Sequence, residues 1–95
     1  MSNSQLIFPE DFADCEWELE SKGWYSGARL LFEGKHYRLN FYDPGRLGQE
    51  IADELRRRGV HFEPNIVVVP AVTKVTMERA AEFLVTSGQA GKLAS

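Results

Sequence analysis

The stretch from Cys15 to Tyr42, CEWELESKGWYSGARLLFEGKHYRLNFY, decides how the chain folds. Two short breaks, Lys22-Gly23 and Gly34-Lys35, divide it into three runs whose apolar residues alternate in compatible phase. In the first run Cys15, Trp17 and Leu19 alternate with Glu16, Glu18 and Glu20, a period of two that suits a strand with one apolar and one acidic face. A two-residue turn at Lys22-Gly23 pairs Trp17 with Ala28 and Cys15 with Leu30. A turn at Gly34-Lys35 pairs Phe32 with Tyr37, Leu30 with Leu39 and Ala28 with Phe41. Moving that turn to Glu33-Gly34 shifts the pairing by two residues and preserves the faces, whereas a one-residue slip inverts them. The expectation is a three-stranded antiparallel meander whose core face holds Trp17, Ala28, Leu30, Leu39 and Phe41.

Downstream, Asp43-Pro44-Gly45-Arg46 reads as a helix start, with Asp43 as cap and Pro44 in the first turn, where its missing N–H costs nothing. The helix runs to about Arg58 and ends at Gly59, with Leu47, Ile51, Ala52 and Leu55 as its apolar stripe. Asn65 to Val69, bracketed by Pro64 and Pro70, is an unalternating apolar run and reads as a fourth strand covered on both faces. A second helix ends near Ser87; Thr73 and Thr76 both suit its cap, and Thr76 is favoured with Val75 as the preceding staple. The order β-β-β-α-β-α, with a right-handed crossover making the fourth strand parallel to the third, gives an α+β two-layer sandwich with two helices on one face. The whole of 1–95 is read as a single domain, ordered over about 12–87, with 1–10 and 88–95 flexible.

Composition bounds the function classes. With 43% hydrophobic and 26% charged residues, the chain is an ordinary folded protein. Cys15 is the only cysteine, which removes an intramolecular disulfide and four-thiolate zinc sites, and a reducing, cytoplasmic setting is expected. Met1 to Phe12 lacks a basic and an apolar leader region, and its longest apolar stretch is Leu6-Ile7-Phe8, so no membrane association is expected. The net charge of -3 divides unevenly, with net -5 in residues 1–23 and net +2 in 24–95. This balance disfavours generic nucleic-acid binding.

No motif commits the chain to a chemistry, so the candidate site is a surface. In the meander register the second sheet face carries Tyr25, Arg29, Leu31, Arg38 and Tyr42, together with His36 and the glutamates of the first run. Tyrosines there would anchor, Leu31 would pack and the arginines would orient a partner by charge. These five residues are the expected partner-binding set of a non-catalytic interaction or regulatory module. The partner is a protein or a second copy of the chain as a homodimer, met through the open face or an edge strand. The plain alternative is a solvated face with exposed cross-strand pairs such as Glu16 to Arg29.

Single-stranded nucleic acid on Tyr25, Tyr42, Arg29, Arg38 and His36 is a second reading, opposed by the acidic first run. A third is a small-molecule-binding or enzymatic domain using Cys15, His36 and His61. It is opposed by the core phase of Cys15 and by the absence of any ligand spacing around the histidines. No catalytic residue, metal or cofactor is therefore expected. Arg56-Arg57-Arg58 invites a phosphate, but Asp53 and Glu54 stand one turn before Arg57 and Arg58 and suit an internally paired helix face.

Overall fold

In the computed structural model, which describes residues 4–94, the chain opens with β1 (Gln5–Ile7), α1 (Phe12–Cys15), a 3-10 turn (Glu16–Glu18) and α2 (Leu19–Lys22). It continues through β2 (Trp24–Tyr25), β3 (Arg29–Phe32), β4 (Lys35–Arg38), β5 (Asn40–Tyr42), α3 (Pro44–Arg58), β6 (Ile66–Val68) and α4 (Lys74–Thr86), and closes with a 3-10 turn at Gln89–Lys92. The strands make two small sheets, an antiparallel β1-β3-β4 meander and a β2-β5-β6 sheet in which β6 runs parallel to β5 and directly beside it. The result is a compact α+β domain of two-layer type, with the fourth strand of the sequence reading parallel to the third.

The first strand of that reading is not a strand. Phe12 to Lys22 is helical, and it buries Phe12 and Leu19, seven residues or two turns apart, while Trp17 stands 79% exposed. The alternation of Glu and apolar residues is a strand pattern that a helix scatters; the helix prevails because glutamate is a good helix former depleted in strands and because Phe12 and Leu19, two turns apart, both pack into the core. Gly23 is the helix terminator instead of a hairpin residue: its φ is 78°, and its N–H donates to Leu19 O at 2.8 Å. The place beside β3 is taken by β1, with Gln5 opposite Leu31 and Ile7 opposite Arg29. Glu16 accordingly has no cross-strand relation to Arg29.

The hairpin between β3 and β4 turns at Glu33-Gly34, whose φ values of 50° and 79° fit the two left-handed positions of a type I′ turn. Leu30 therefore faces Tyr37, and Phe32 faces Lys35. Further from the turn the register changes. Tyr25 pairs with Phe41 and Arg29 with Arg38, so Ser26, Gly27 and Ala28 stand against only Asn40 and Leu39. One extra residue in the first strand is a β-bulge, and it reverses the phase of everything on its far side. Gly27 suits this place because a Cβ there would come within 2.5 Å of Tyr25 Oη.

The core gathers Phe12, Leu19, Ala28, Leu30, Leu39, Phe41, Val69, Val72, Met77 and Ala81, so α4 covers the face that β3, β4 and β5 turn inward. Its N-terminus is a reciprocal capping box. Thr73, not Thr76, is the cap; its Oγ1 accepts from Thr76 N–H at 3.2 Å, and Thr73 N–H donates to Thr76 Oγ1 at 3.0 Å.

The other helix, α3, begins and ends as its sequence indicates. Asp43 Oδ1 accepts from Arg46 N–H at 2.7 Å, Pro44 fills the first turn, and Gly59 at φ 75° closes the helix. It buries no residue fully, and Leu55 is 50% exposed. It stands beside Tyr42, the neighbour of core-facing Phe41 along β5.

The chain ends carry structure beyond the 12–87 limits read from sequence. β1 joins the sheet with Leu6 packed against the core, and Ala90 is buried near the other end. Asn65 Nδ2–H donates to Ala94 O at 2.7 Å. Of the segments expected to be flexible, residues 1–3 and 95 lie outside the described residues.

Candidate interaction face

Strand pairing settles which side chains share the outer face of the β1-β3-β4 sheet. Arg29 lies opposite Arg38, Leu31 opposite His36, and Gln5 and Ile7 of β1 lie beside Leu31 and Arg29. Because residues two apart in a strand point the same way, these six side chains form one surface. Leu31 and Ile7 are half-buried, whereas Arg29, His36 and Arg38 are exposed. Leu30 and Leu6, their neighbours, point the other way into the core. No carboxylate stands among the six.

The two arginines occupy the closer kind of antiparallel pair. Leu39 N–H donates to Ala28 O at 3.3 Å, so the hydrogen-bonded position falls one step along and Arg29–Arg38 is a non-hydrogen-bonded pair, with Cα atoms only about 4.5 Å apart. Among the described residues the ion pairs are made by Lys22, Arg46, Arg56, Arg57 and Arg58, and neither Arg29 nor Arg38 has an acidic partner. Two arginines at facing positions of one sheet surface offer planar, multi-donor cationic groups suited to carboxylates.

The two tyrosines of the expected partner-binding set leave this face. The bulge turns Tyr25 inward, where its ring meets Phe12 edge-on at a centroid distance of 5.4 Å, and burial, with Cys15 and Asp11 nearby, raises its phenol pKa. Tyr42 is only 8% exposed, and its hydroxyl donates to Glu63 Oε1 at 2.7 Å. Burial first, and then this bond to Glu63, push the Tyr42 phenol far above its ordinary value. Arg29, Leu31 and Arg38 are thus brought together, and Tyr25 and Tyr42 are not among them. Gln5 and Ile7, both of β1, are the members the sequence reading missed. The available signal was the short apolar run Leu6-Ile7-Phe8, bounded by Pro9, which suits a short strand.

Other chemistry-bearing residues are dispersed or engaged. Cys15 is half-buried, with its thiol donating to Phe12 O at 3.5 Å. His61 lies in a cleft of about 230 Å³ with Tyr42, Glu50, Glu54 and Glu63, and its Nε2 is buried without a partner. The carboxylates around it are already taken: Glu50 by Arg46, Glu54 by Arg57 and Arg58, and Glu63 by Tyr42. Among the described residues no group of three or more His, Cys, Asp or Glu is placed to hold a metal ion. The triple arginine of α3 is the internally paired face expected of it, with Arg56 bonded to Asp53, Arg57 to Glu54 at 2.9 Å and Arg58 to Glu54 at 3.4 Å. No helix of the described residues is long and apolar enough to cross a membrane.

No family model, curated protein or solved structure matches the chain.

Proposed function

We propose that the protein is a non-catalytic interaction module that receives an acidic partner surface on the outer face of its β1-β3-β4 sheet. The observation that carries this reading is the Arg29–Arg38 pair. Like charges directly opposite one another weaken a sheet, and these two have no carboxylate to relieve them. A basic residue on an edge strand has an ordinary role in discouraging strand addition, and Arg38 on β4 fits it. Arg29 does not, because β3 is the central strand. Leu31 and Ile7 provide the apolar centre that a charged rim surrounds in protein interfaces.

The competing single-stranded nucleic-acid reading needed Tyr25 and Tyr42 as stacking platforms, and both rings are withdrawn from the face. The test is an amide chemical-shift titration with a short synthetic peptide of glutamates around one tryptophan. Salt-sensitive shifts confined to Gln5–Ile7, Arg29–Phe32 and Lys35–Arg38, and lost in Arg29→Glu/Arg38→Glu, are expected. No shifts, or shifts centred elsewhere, would end the proposal.

A further inference from the structure

The face just described has a complement within the same chain. Between Glu10 and Lys22 lie six carboxylates, of Glu10, Asp11, Asp14, Glu16, Glu18 and Glu20, against the single base Lys22. Of these six, Glu18 alone is ion-paired among the described residues, to Lys22 at 3.5 Å. Ala13, Glu16, Trp17 and Glu20 line one cleft together with Thr73 and Lys74, while Phe12 and Leu19 pack into the core. Trp17 stands 79% exposed between the two glutamates, and its indole N–H already donates to Asp14 O at 3.1 Å. What it offers outward is apolar ring surface. An acidic helical ridge with an exposed aromatic centre is the counterpart of a cationic sheet face with an apolar centre. Within one protomer the two do not satisfy each other, since neither Arg29 nor Arg38 reaches any of these carboxylates.

We infer that the occupant of the sheet face is a second copy of this chain, docking the Glu16-Trp17-Glu20 ridge of one protomer onto Arg29, Leu31 and Arg38 of the other. The inference rests on the reading of that face as a site for acidic surfaces and names its partner. Reciprocal exchange of the two patches is the arrangement that closes on itself as a two-fold dimer, which is the commonest form of self-association. Each protomer then gives its tryptophan to the apolar centre of the other's face, the position in which aromatic side chains contribute most to binding. Each also gives its glutamates to the two arginines. Because the pairs are charged and lie near solvent, the assembly weakens with salt.

A charge-swap experiment followed by analytical ultracentrifugation tests this. The wild type is expected to be a dimer at low ionic strength and to dissociate at least tenfold more readily in high salt. Arg29→Glu/Arg38→Glu alone and Glu16→Lys/Glu20→Lys alone should each be monomeric, because each homodimer now opposes like charges. Mixed one to one, they should associate, since both patches of the mixed pair are again complementary. All these side chains are on the surface, and unchanged circular dichroism of each variant will show that its fold is intact. Failure of the mixture to associate, or dimers indifferent to either variant, would overturn the inference. A wild type monomeric at every salt concentration that still binds the glutamate-tryptophan peptide would remove self-docking and leave the proposed function standing. Loss of both would remove both.

Discussion

Arg29 and Arg38 face each other across neighbouring antiparallel strands at a non-hydrogen-bonded position, with no carboxylate of the described residues paired to either. A sheet selected only for stability would place opposite charges or an aromatic against a β-branched residue there. Retaining two like charges weakens the fold locally, and a surface that meets an acidic partner recovers that cost on binding. The proposed role of the outer face of β1-β3-β4 rests on the same feature that makes it unfavourable in the free protein.

Replacing one arginine by an acid should accordingly stabilise the isolated chain. Arg38→Glu turns a repelling cross-strand pair into an attracting one, with a gain of about 0.5 to 1 kcal/mol expected for exposed side chains. Urea denaturation at low protein concentration, where association does not contribute, measures it. A variant less stable than wild type would show that Arg38 is held by contacts other than those described.

Alkaline pH should unfold the protein through its tyrosines. Tyr42 and Tyr25 both have phenols raised above the ordinary value of 10.0, each first by burial. The folded state therefore keeps its protons where the unfolded chain gives them up. The stabilisation is complete below about pH 10 and is lost progressively as pH rises above it toward the folded values. Urea midpoints from pH 9 upward should fall in the wild type and fall less steeply in Tyr42→Phe. That variant should also lose roughly 1.5 to 3 kcal/mol at neutral pH, because the Glu63 carboxylate forfeits its hydroxyl donor.

Two glycines with nearly the same backbone angle should respond differently to alanine. Gly23 at φ 78° and Gly34 at φ 79° share the strain of a left-handed alanine, about 1 kcal/mol. At Gly23 the new Cβ would also lie 2.7 Å from Asp43 Oδ2 and 2.9 Å from Arg46 Cβ, whereas at Gly34 nothing lies within 4 Å. Gly23→Ala should cost roughly twice as much or more, because it also displaces the cap of α3. Thermal melts of the two variants provide the comparison, and equal losses would contradict the close approach of α2 to the start of α3.

These sites also show where sequence was informative. Asp43, Pro44 and Gly59 announced α3 correctly because capping is local: each signal concerns a backbone group within one turn of itself. The inward facing of Ala28, Leu30, Leu39 and Phe41 was legible through strict alternation, whereas the turn falls at Glu33-Gly34 instead of the expected Gly34-Lys35, which shifts the pairing by two residues and keeps the faces. The run Cys15 to Glu20 alternates as a strand does and was read as one, but the helix propensity of glutamate and the tertiary packing of Phe12 and Leu19 overrode that pattern. The bulge at Ser26–Ala28 left no mark beyond one glycine, yet it moved Tyr25 from the expected face to the core. The candidate site was therefore readable in its charged and aliphatic members; of its aromatic members, Tyr25 was misplaced by a single inserted residue, and Tyr42 is buried beside α3 with its hydroxyl on Glu63.

The central claim, that the outer sheet face receives acidic surfaces, is tested most directly by the affinity of one labelled glutamate-tryptophan peptide for wild type, Arg38→Glu and Arg58→Glu. The two variants change net charge equally, and they differ only in where the charge sits: Arg38 has no acidic partner, while Arg58 is paired to Glu54 on α3. Fluorescence anisotropy at fixed ionic strength should show binding weakened tenfold or more in Arg38→Glu, a loss of about 1.4 kcal/mol, and little changed in Arg58→Glu. Equal weakening in both variants would mean that the peptide senses only net charge, and the account of this face would be wrong.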